Sequence, residues 1–196
     1  MSLINTKVKP FKSLAFKDKN FVSISEKEIQ GKWNVFFFYP ANFTFVCPTE
    51  LKDLSDHYED FKKIKTEIYS VSTDTHFSHK VWHDISNTIK SVQYYMISDS
   101  SWELTKNFEV MRYSEDDNGN LKESGFSLRA TFIIDPDNII RSIEVISDGV
   151  GRNSQELLRK VQALQYIRKN SGEVCPARWE KGRSTLKTKI NLVGNL

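Results

Sequence analysis

The stretch Val35-Phe36-Phe37-Phe38-Tyr39 constrains this chain more than any other. From Trp33 to Tyr39 the run has the length of a strand. Lacking alternation between apolar and polar residues, it reads as a central strand buried on both faces. Pro40 ends it, and Ala41 to Val46 make a short loop that leads to Cys47-Pro48. After Pro48 the period changes. Leu51, Leu54, Tyr58, Phe61 and Ile64 fall on one face of a helix. Pro48 suits the first helical turn, where its missing N–H costs nothing.

The same alternation continues downstream. Ile68 to Val71 reads as a second buried strand, and His76 to Ile89 as a helix with Phe77, Val81, Trp82 and Ile85 inward. Tyr94 to Ile97 is a third strand and Trp102 to Phe108 a short helix. Strand, helix, strand, helix, strand implies parallel βαβ units. Asn118-Gly119, within a polar run, signals a hairpin turn. Arg129 to Ile134 and Ile139 to Ile146 form a second hairpin about Asp135-Pro136-Asp137-Asn138. Asn153, with Glu156 three residues on, opens the last helix, whose inward face is Leu157, Leu158, Val161, Leu164 and Ile167. Before all of this, residues 1–31 alternate in short runs that suit a hairpin turning at Asp18-Lys19-Asn20.

The expected fold class is α/β: a thioredoxin-like fold with a mixed central sheet, helices on both faces, extra N-terminal strands and a C-terminal arm. The expected division is residues 1–170 for the domain and 171–196 for the arm. At 196 residues the chain can bury a proper core without disulfide staples. The formal charge is only +3, with acids and bases mixed and no basic run that would argue for nucleic acid. The N-terminus shows no signal-peptide pattern and no segment is long and apolar enough to span a bilayer, so the expected location is cytoplasmic.

There are two cysteines, Cys47 and Cys175. They are too far apart for a CxxC pair and too few for a zinc cage. A thiol at a helix N-terminus faces free backbone N–H groups and the positive end of the dipole, which favour thiolate. Cys47 fits that place; a buried inert thiol is the alternative. Position 50 holds Glu50 where an exchange site would want a second cysteine, so Cys47 acts alone in a first step. Its partner, if it has one, is Cys175, in Gly172-Glu173-Val174-Cys175-Pro176; the alternative there is a plain surface or packed thiol. His76, His79 and His83 share a helical face, which fits a metal site or an ordinary polar face.

Pro40-x-x-x-Thr44-x-x-Cys47 resembles the peroxidatic motif of peroxiredoxins. Phe38 to Glu50, Ser70-Val71-Ser72-Thr73-Asp74, His79 to Trp82, Arg129 to Pro136 and Gly172 to Trp179 resemble the typical 2-Cys group, most of all its bacterial alkyl hydroperoxide reductase C branch. The ending Leu192-Val193-Gly194 is similar to that branch too. The resemblance implies a thiol peroxidase. Cys47 is its peroxidatic nucleophile and Cys175 its resolving thiol, usually from the other subunit. Thr44 orients the peroxide, Arg129 holds the thiolate, Pro40 screens the site, and Glu50 orients Arg129 and Thr44. Arg152 is a candidate second arginine, with a surface charge as the alternative. The resemblance also implies a hydroperoxide substrate and a disulfide reductase partner, either a flavoprotein component or a thioredoxin-like protein. It implies homodimers that assemble to decamers, with no metal and no bound organic cofactor.

Two features depart from the pattern. Residues 113–125 carry no Gly-Gly-Leu-Gly run and no terminal Tyr-Phe is seen, from which resistance to overoxidation is expected. Residues 112–127 look longer and more acidic than the bacterial branch leads one to expect. Rival readings are a thioredoxin-like interaction or holdase module without turnover, and a peroxide sensor with a dedicated client.

Overall fold

In the computed structural model, which describes residues 2–190 and 194, the aromatic run forms strand β3 (Trp33–Phe38), buried at every position. It lies inside a seven-stranded sheet that occupies the first of two compact units, Met1–Arg152. The other strands of the sheet are β1 (Lys12–Lys17), β2 (Asn20–Ser25), β4 (Thr66–Ser72), β5 (Tyr95–Ser98), β8 (Arg129–Ile134) and β9 (Ile140–Ile146), in the order β2-β1-β5-β4-β3-β8-β9. β3, β4 and β5 pair in parallel, and β1, β2, β8 and β9 join antiparallel. The mixed sheet of a thioredoxin-like fold is therefore present, with the N-terminal hairpin added beyond β5. That hairpin turns at Asp18 and Lys19, both with positive φ.

The core between β3, β4 and β8 is largely aromatic. Phe36 stacks on Phe108 and Phe108 meets Phe132 edge-on, at 5.4 and 4.8 Å between ring centroids. Such pairs add specific geometry to the area they bury.

Three helical expectations need correction. The single helix from Pro48 is two: α2 (Cys47–Asp56) and α3 (Tyr58–Lys63), after a four-residue α1 (Glu26–Ile29). The break falls at His57, whose ring meets the Asp53 carbonyl at 2.9 Å. Tyr58 and Phe61 stay buried across it, so the apolar spacing did not betray the break. The next helix, α4 (His76–Ile85), stops short of Ile89 and is rotated from the expected face. Phe77, Val81 and Ile85 are 62%, 49% and 70% exposed, while His79 and Trp82 are buried. Trp82 is inward as expected, and His79, which was not expected there, joins it with partners for both ring nitrogens. After α5 (Glu103–Asn107), β6 (Met111–Glu115) and β7 (Leu121–Ser127) form their own two-stranded sheet. The hairpin was expected; its turn is longer than an Asn-Gly pair. The Asp116 carboxylate accepts from the backbone N–H of Asn118 and of Asn120, both at 2.9 Å.

The second unit, Asn153–Leu196, holds α6 (Ser154–Lys169) and the short pair β10 (Glu173–Val174) and β11 (Leu186–Lys187). Asn153 caps α6 by accepting from Glu156 N–H at 3.0 Å. The buried positions of α6 are Ser154, Leu157 and Val161; Ile167, expected inward, is exposed. Leu192 and Val193 lie outside the described residues.

Candidate active site

β3 ends below a tight loop. Tyr39 and Pro40 are buried, Phe43 adopts positive φ, and Cys47 is the first residue of α2. Val46 and Thr49 complete the turn through Thr49 Oγ1 donating to Val46 O at 2.6 Å. The loop is tied down at Asn42. Its N–H donates to Asp74 Oδ2 at 2.9 Å, its side-chain oxygen accepts from Tyr39 OH at 2.8 Å, and its amide nitrogen meets Ser78 Oγ and His79 Nδ1 at 3.0 and 3.1 Å. The loop therefore hangs from β3, β4 and α4 at once. Cys47, at its far end, is only 2% exposed at the positive pole of a ten-residue helix.

The sulfur faces a buried charge cluster. Arg129, the first residue of β8, brings Nη1 to 3.7 Å from Cys47 Sγ. The same Nη1 donates to Glu50 Oε2, and Nη2 donates to the Asp148 carbonyl at 3.0 Å. Glu50, one turn along α2, also accepts from Arg152: N–H and Nε to Oε1 at 2.8 and 2.9 Å, Nη2 to Oε2 at 3.1 Å. Arg152 Nη1 donates to Ala130 O and Thr131 Oγ1, and its guanidinium lies 3.3 Å above the Phe37 ring. Arg152 is thus a buried ligand of Glu50, not a surface charge. One carboxylate and two guanidinium groups leave a positive charge over, beside the sulfur. That is a setting for an anion. Burial works against the Arg129 charge, but Glu50 and Cys47 outweigh it and hold its pKa above the ordinary value. Burial pulls Arg152 down, with Glu50 opposing. Arg129 Nε is buried and has no acceptor among the described residues.

The remaining sequence candidates divide. Pro40 is buried at the loop entry and Thr44 is half-buried at its centre, its hydroxyl donating to Ala41 O at 3.0 Å. Glu50's hydrogen bonds go to the two arginines. Cys175 belongs to the second unit, directly after β10. It is half-buried, its thiol directed at Ala163 O 3.9 Å away, and burial pushes its pKa up while Arg159 draws it down. Both cysteines are free thiols.

The three histidines do not converge. His76 packs on Phe21 and Phe77, His79 points inward, and His83 bonds to Val92 O. No group of three or more His, Cys, Asp or Glu side chains suited to a metal occurs among the described residues. Sequence reasoning overlooked Asn42, Asp74 and Asp148. Asn42 lay inside the quoted motif, but nothing in one sequence marks which loop residue carries the anchoring bonds.

Residues 4–143 match the AhpC/TSA family. The chain is 53% identical to "Alkyl hydroperoxide reductase C" of Salmonella typhimurium over 196 residues, covering all of both chains. It is 47% identical to the protein of that name in Bacillus subtilis, again over all of both. Among solved structures, Enterococcus faecalis AhpC is 41% identical with a TM-score of 0.81, over 90% of this chain and 100% of that one. A reduced Plasmodium vivax 2-Cys peroxiredoxin is 28% identical with a TM-score of 0.86, over 96% and 95%.

Proposed function

The chain belongs to the AhpC/TSA family as a peroxiredoxin enzyme, and from that premise we propose that it reduces hydrogen peroxide and organic hydroperoxides through a Cys47 sulfenic acid and an intersubunit disulfide. The observation that carries this reading is the single thiol at the head of α2 with Arg129 Nη1 3.7 Å from its sulfur.

The Cys47 thiolate attacks the terminal peroxide oxygen. The S–O bond forms as the O–O bond breaks, and the leaving alkoxide or hydroxide takes a proton to give alcohol or water. Charge moves from sulfur to the leaving oxygen, and Arg129 stays beside both. Preorganised donors at such a position stabilise the transition state without reorganising. Thr44 orients the peroxide, Pro40 screens it from water, and Glu50 with Arg152 fixes Arg129. The Cys175 thiol of a second subunit then attacks the sulfenic sulfur, water leaves, and a disulfide remains. A reductase partner, a flavoprotein component or thioredoxin-like protein, returns both thiols by exchange. In this reading residues 1–170 are the peroxidase domain and 171–196 the resolving arm. The enzyme works in the cytoplasm as dimers that build a decamer. The exposed apolar stripe Phe77, Val81 and Ile85 is consistent with assembly. No helix among the described residues is long and apolar enough to cross a membrane.

The test is a peroxide-treated non-reducing gel together with peroxide consumption. Cys47→Ser should abolish consumption. Cys175→Ser should abolish the dimer-mass band while leaving one turnover. Persistence of that band in Cys175→Ser, or turnover in Cys47→Ser, overturns the reading.

A further inference from the structure

The β6–β7 hairpin is absorbed neither by the sheet nor by the reaction. Its tip is exposed, yet its base is seated at four places. Ser127, fully buried, donates to Tyr39 O at 2.9 Å, the residue before Pro40. Gly125, with φ of +80°, lies so close to the Trp102 ring that a Cβ there would stand 3.3 Å from it. Glu123 pairs with Lys106 at 3.0 Å. Arg112 Nη1 pairs with Asp148 Oδ2 at 2.6 Å.

The last contact matters most, because Asp148 has two roles. Its carboxylate takes Arg112, while its backbone carbonyl takes Arg129 Nη2 at 3.0 Å. Arg129 has its other terminal nitrogen on Glu50 and near Cys47. The guanidinium is therefore clamped between a carboxylate on α2 and one carbonyl on the turn after β9. Glu50 holds one terminal nitrogen of the planar guanidinium and the Asp148 carbonyl holds the other. The turn from Ser147 closes on itself with Val150 N–H to Ser147 O at 3.2 Å, and a Cβ at Gly149 beside it would meet nothing within 4 Å. The hairpin supplies the external restraint.

We propose that the β6–β7 hairpin is a brace for the peroxide-reducing centre, and that Arg112 is a positioning residue that aims Arg129 through Asp148. This rests on the reading that Arg129 assists Cys47. The Arg112–Asp148 pair is part-exposed, so its effect is limited by solvent screening. An exposed pair of this kind corresponds to about a two- to five-fold change in rate.

The experiment measures single-turnover oxidation of Cys47 by hydrogen peroxide in the full chain, and separately the following disulfide step. Arg112→Gln and Asp148→Asn should each slow oxidation about two- to five-fold, and the double variant should be no slower than either. Asp148→Asn keeps the backbone carbonyl, so it removes only the brace. Arg112→Lys should recover most of the rate, and the deficit of Arg112→Gln should narrow in about 1 M salt. The disulfide step should be unchanged, which general loosening of the fold would not allow. Wild-type rate in Arg112→Gln, or losses that multiply in the double variant, overturns the brace. A wild-type chain whose Cys47 does not react with peroxide removes the peroxidase reading and the brace together; reaction in the wild type with no effect of Arg112 removes the brace alone.

Discussion

The Asn42 amide meets His79 Nδ1 with its nitrogen at 3.1 Å and its oxygen at 3.3 Å, so the proton on the ring is placed from the other side. His79 Nε2 faces the Ile97 carbonyl at 3.1 Å, which can only accept. Nε2 is therefore the donor, Nδ1 the acceptor, and the buried imidazole is neutral. A second ring proton would face the Asn42 amide that anchors the loop before Cys47, whose oxygen already accepts from Tyr39 OH.

Stability should consequently fall in acid. Burial pulls the His79 pKa from 6.5 down to about 4, against the pull of Asp74 in the other direction. Below about 6.5 the unfolded chain takes up a proton that the folded one refuses until about 4, so stability is lost across that window as pH drops and is level above it. The loss at the bottom of the window is on the order of 3 kcal/mol. Urea denaturation at pH 7 and near pH 4.5 should show it, and His79→Gln should flatten the slope. An equal slope in His79→Gln would assign the acid sensitivity elsewhere.

Glu50 should matter more to the fold than either arginine it holds. Removing its charge leaves two buried guanidinium groups with no counterion, whereas removing Arg152 leaves a balanced pair. Breaking a buried pair from one side costs roughly 3–5 kcal/mol. Glu50→Gln is expected in that range and Arg152→Gln below it, with peroxide reduction lost more completely in the first. Denaturation midpoints checked alongside single-turnover rates decide the ranking; an Arg152→Gln that is the less stable of the two would refute it.

Periodicity located the strands well because β3, β4 and β8 are buried on both faces and their residues leave no other role. It failed in part on α4, where Trp82 is inward as expected but Phe77, Val81 and Ile85 are exposed and His79 takes the buried place. A histidine scores as polar, and only its two buried partners make His79 a core residue. The cluster of Cys47, Glu50 and Arg129 was legible because quoted motifs carried all three. Asp148 was not, since it acts through a backbone carbonyl that every residue possesses. Arg152 was undecided for a related reason: one sequence cannot say whether a charge beside a helix start turns inward.

The two hairpin glycines should separate strain from packing. Gly119 and Gly125 have nearly the same φ, +78° and +80°. A Cβ at Gly119 meets open space, and at Gly125 it presses on Trp102. Alanine at Gly119 carries only the left-handed penalty, about 1–2 kcal/mol. Gly125→Ala should cost more, and should also slow peroxide oxidation if the hairpin braces the site. Thermal unfolding of both variants provides the comparison; equal losses would mean that the Trp102 contact yields freely.

Glu173 should govern how readily Cys175 leaves its place. Its carboxylate accepts from the Thr185 hydroxyl and from Tyr166 OH, the latter at 2.7 Å, and these bonds hold its pKa below the ordinary value, Thr185 contributing most. Cys175 lies two residues on, directly after β10. Around it, Thr188 N–H and Oγ1 donate to Gly172 O at 2.9 and 3.0 Å, and Trp179 Nε1 donates to Arg183 O at 3.1 Å. The segment is thus closed on itself and on α6 through Tyr166. Glu173→Gln keeps the shape but weakens two charge-assisted bonds. Alkylation of Cys175 should accelerate several-fold in Glu173→Gln and in Tyr166→Phe, with little change at Cys47. Because the folded carboxylate is the stronger acid, the clasp is present above its unfolded pKa and is lost as pH falls, so wild-type Cys175 should approach the variant's accessibility in acid once the intrinsic thiolate fraction is corrected for. Unchanged alkylation in both variants would show that Cys175 is held by the backbone pairing of β10 with β11 instead.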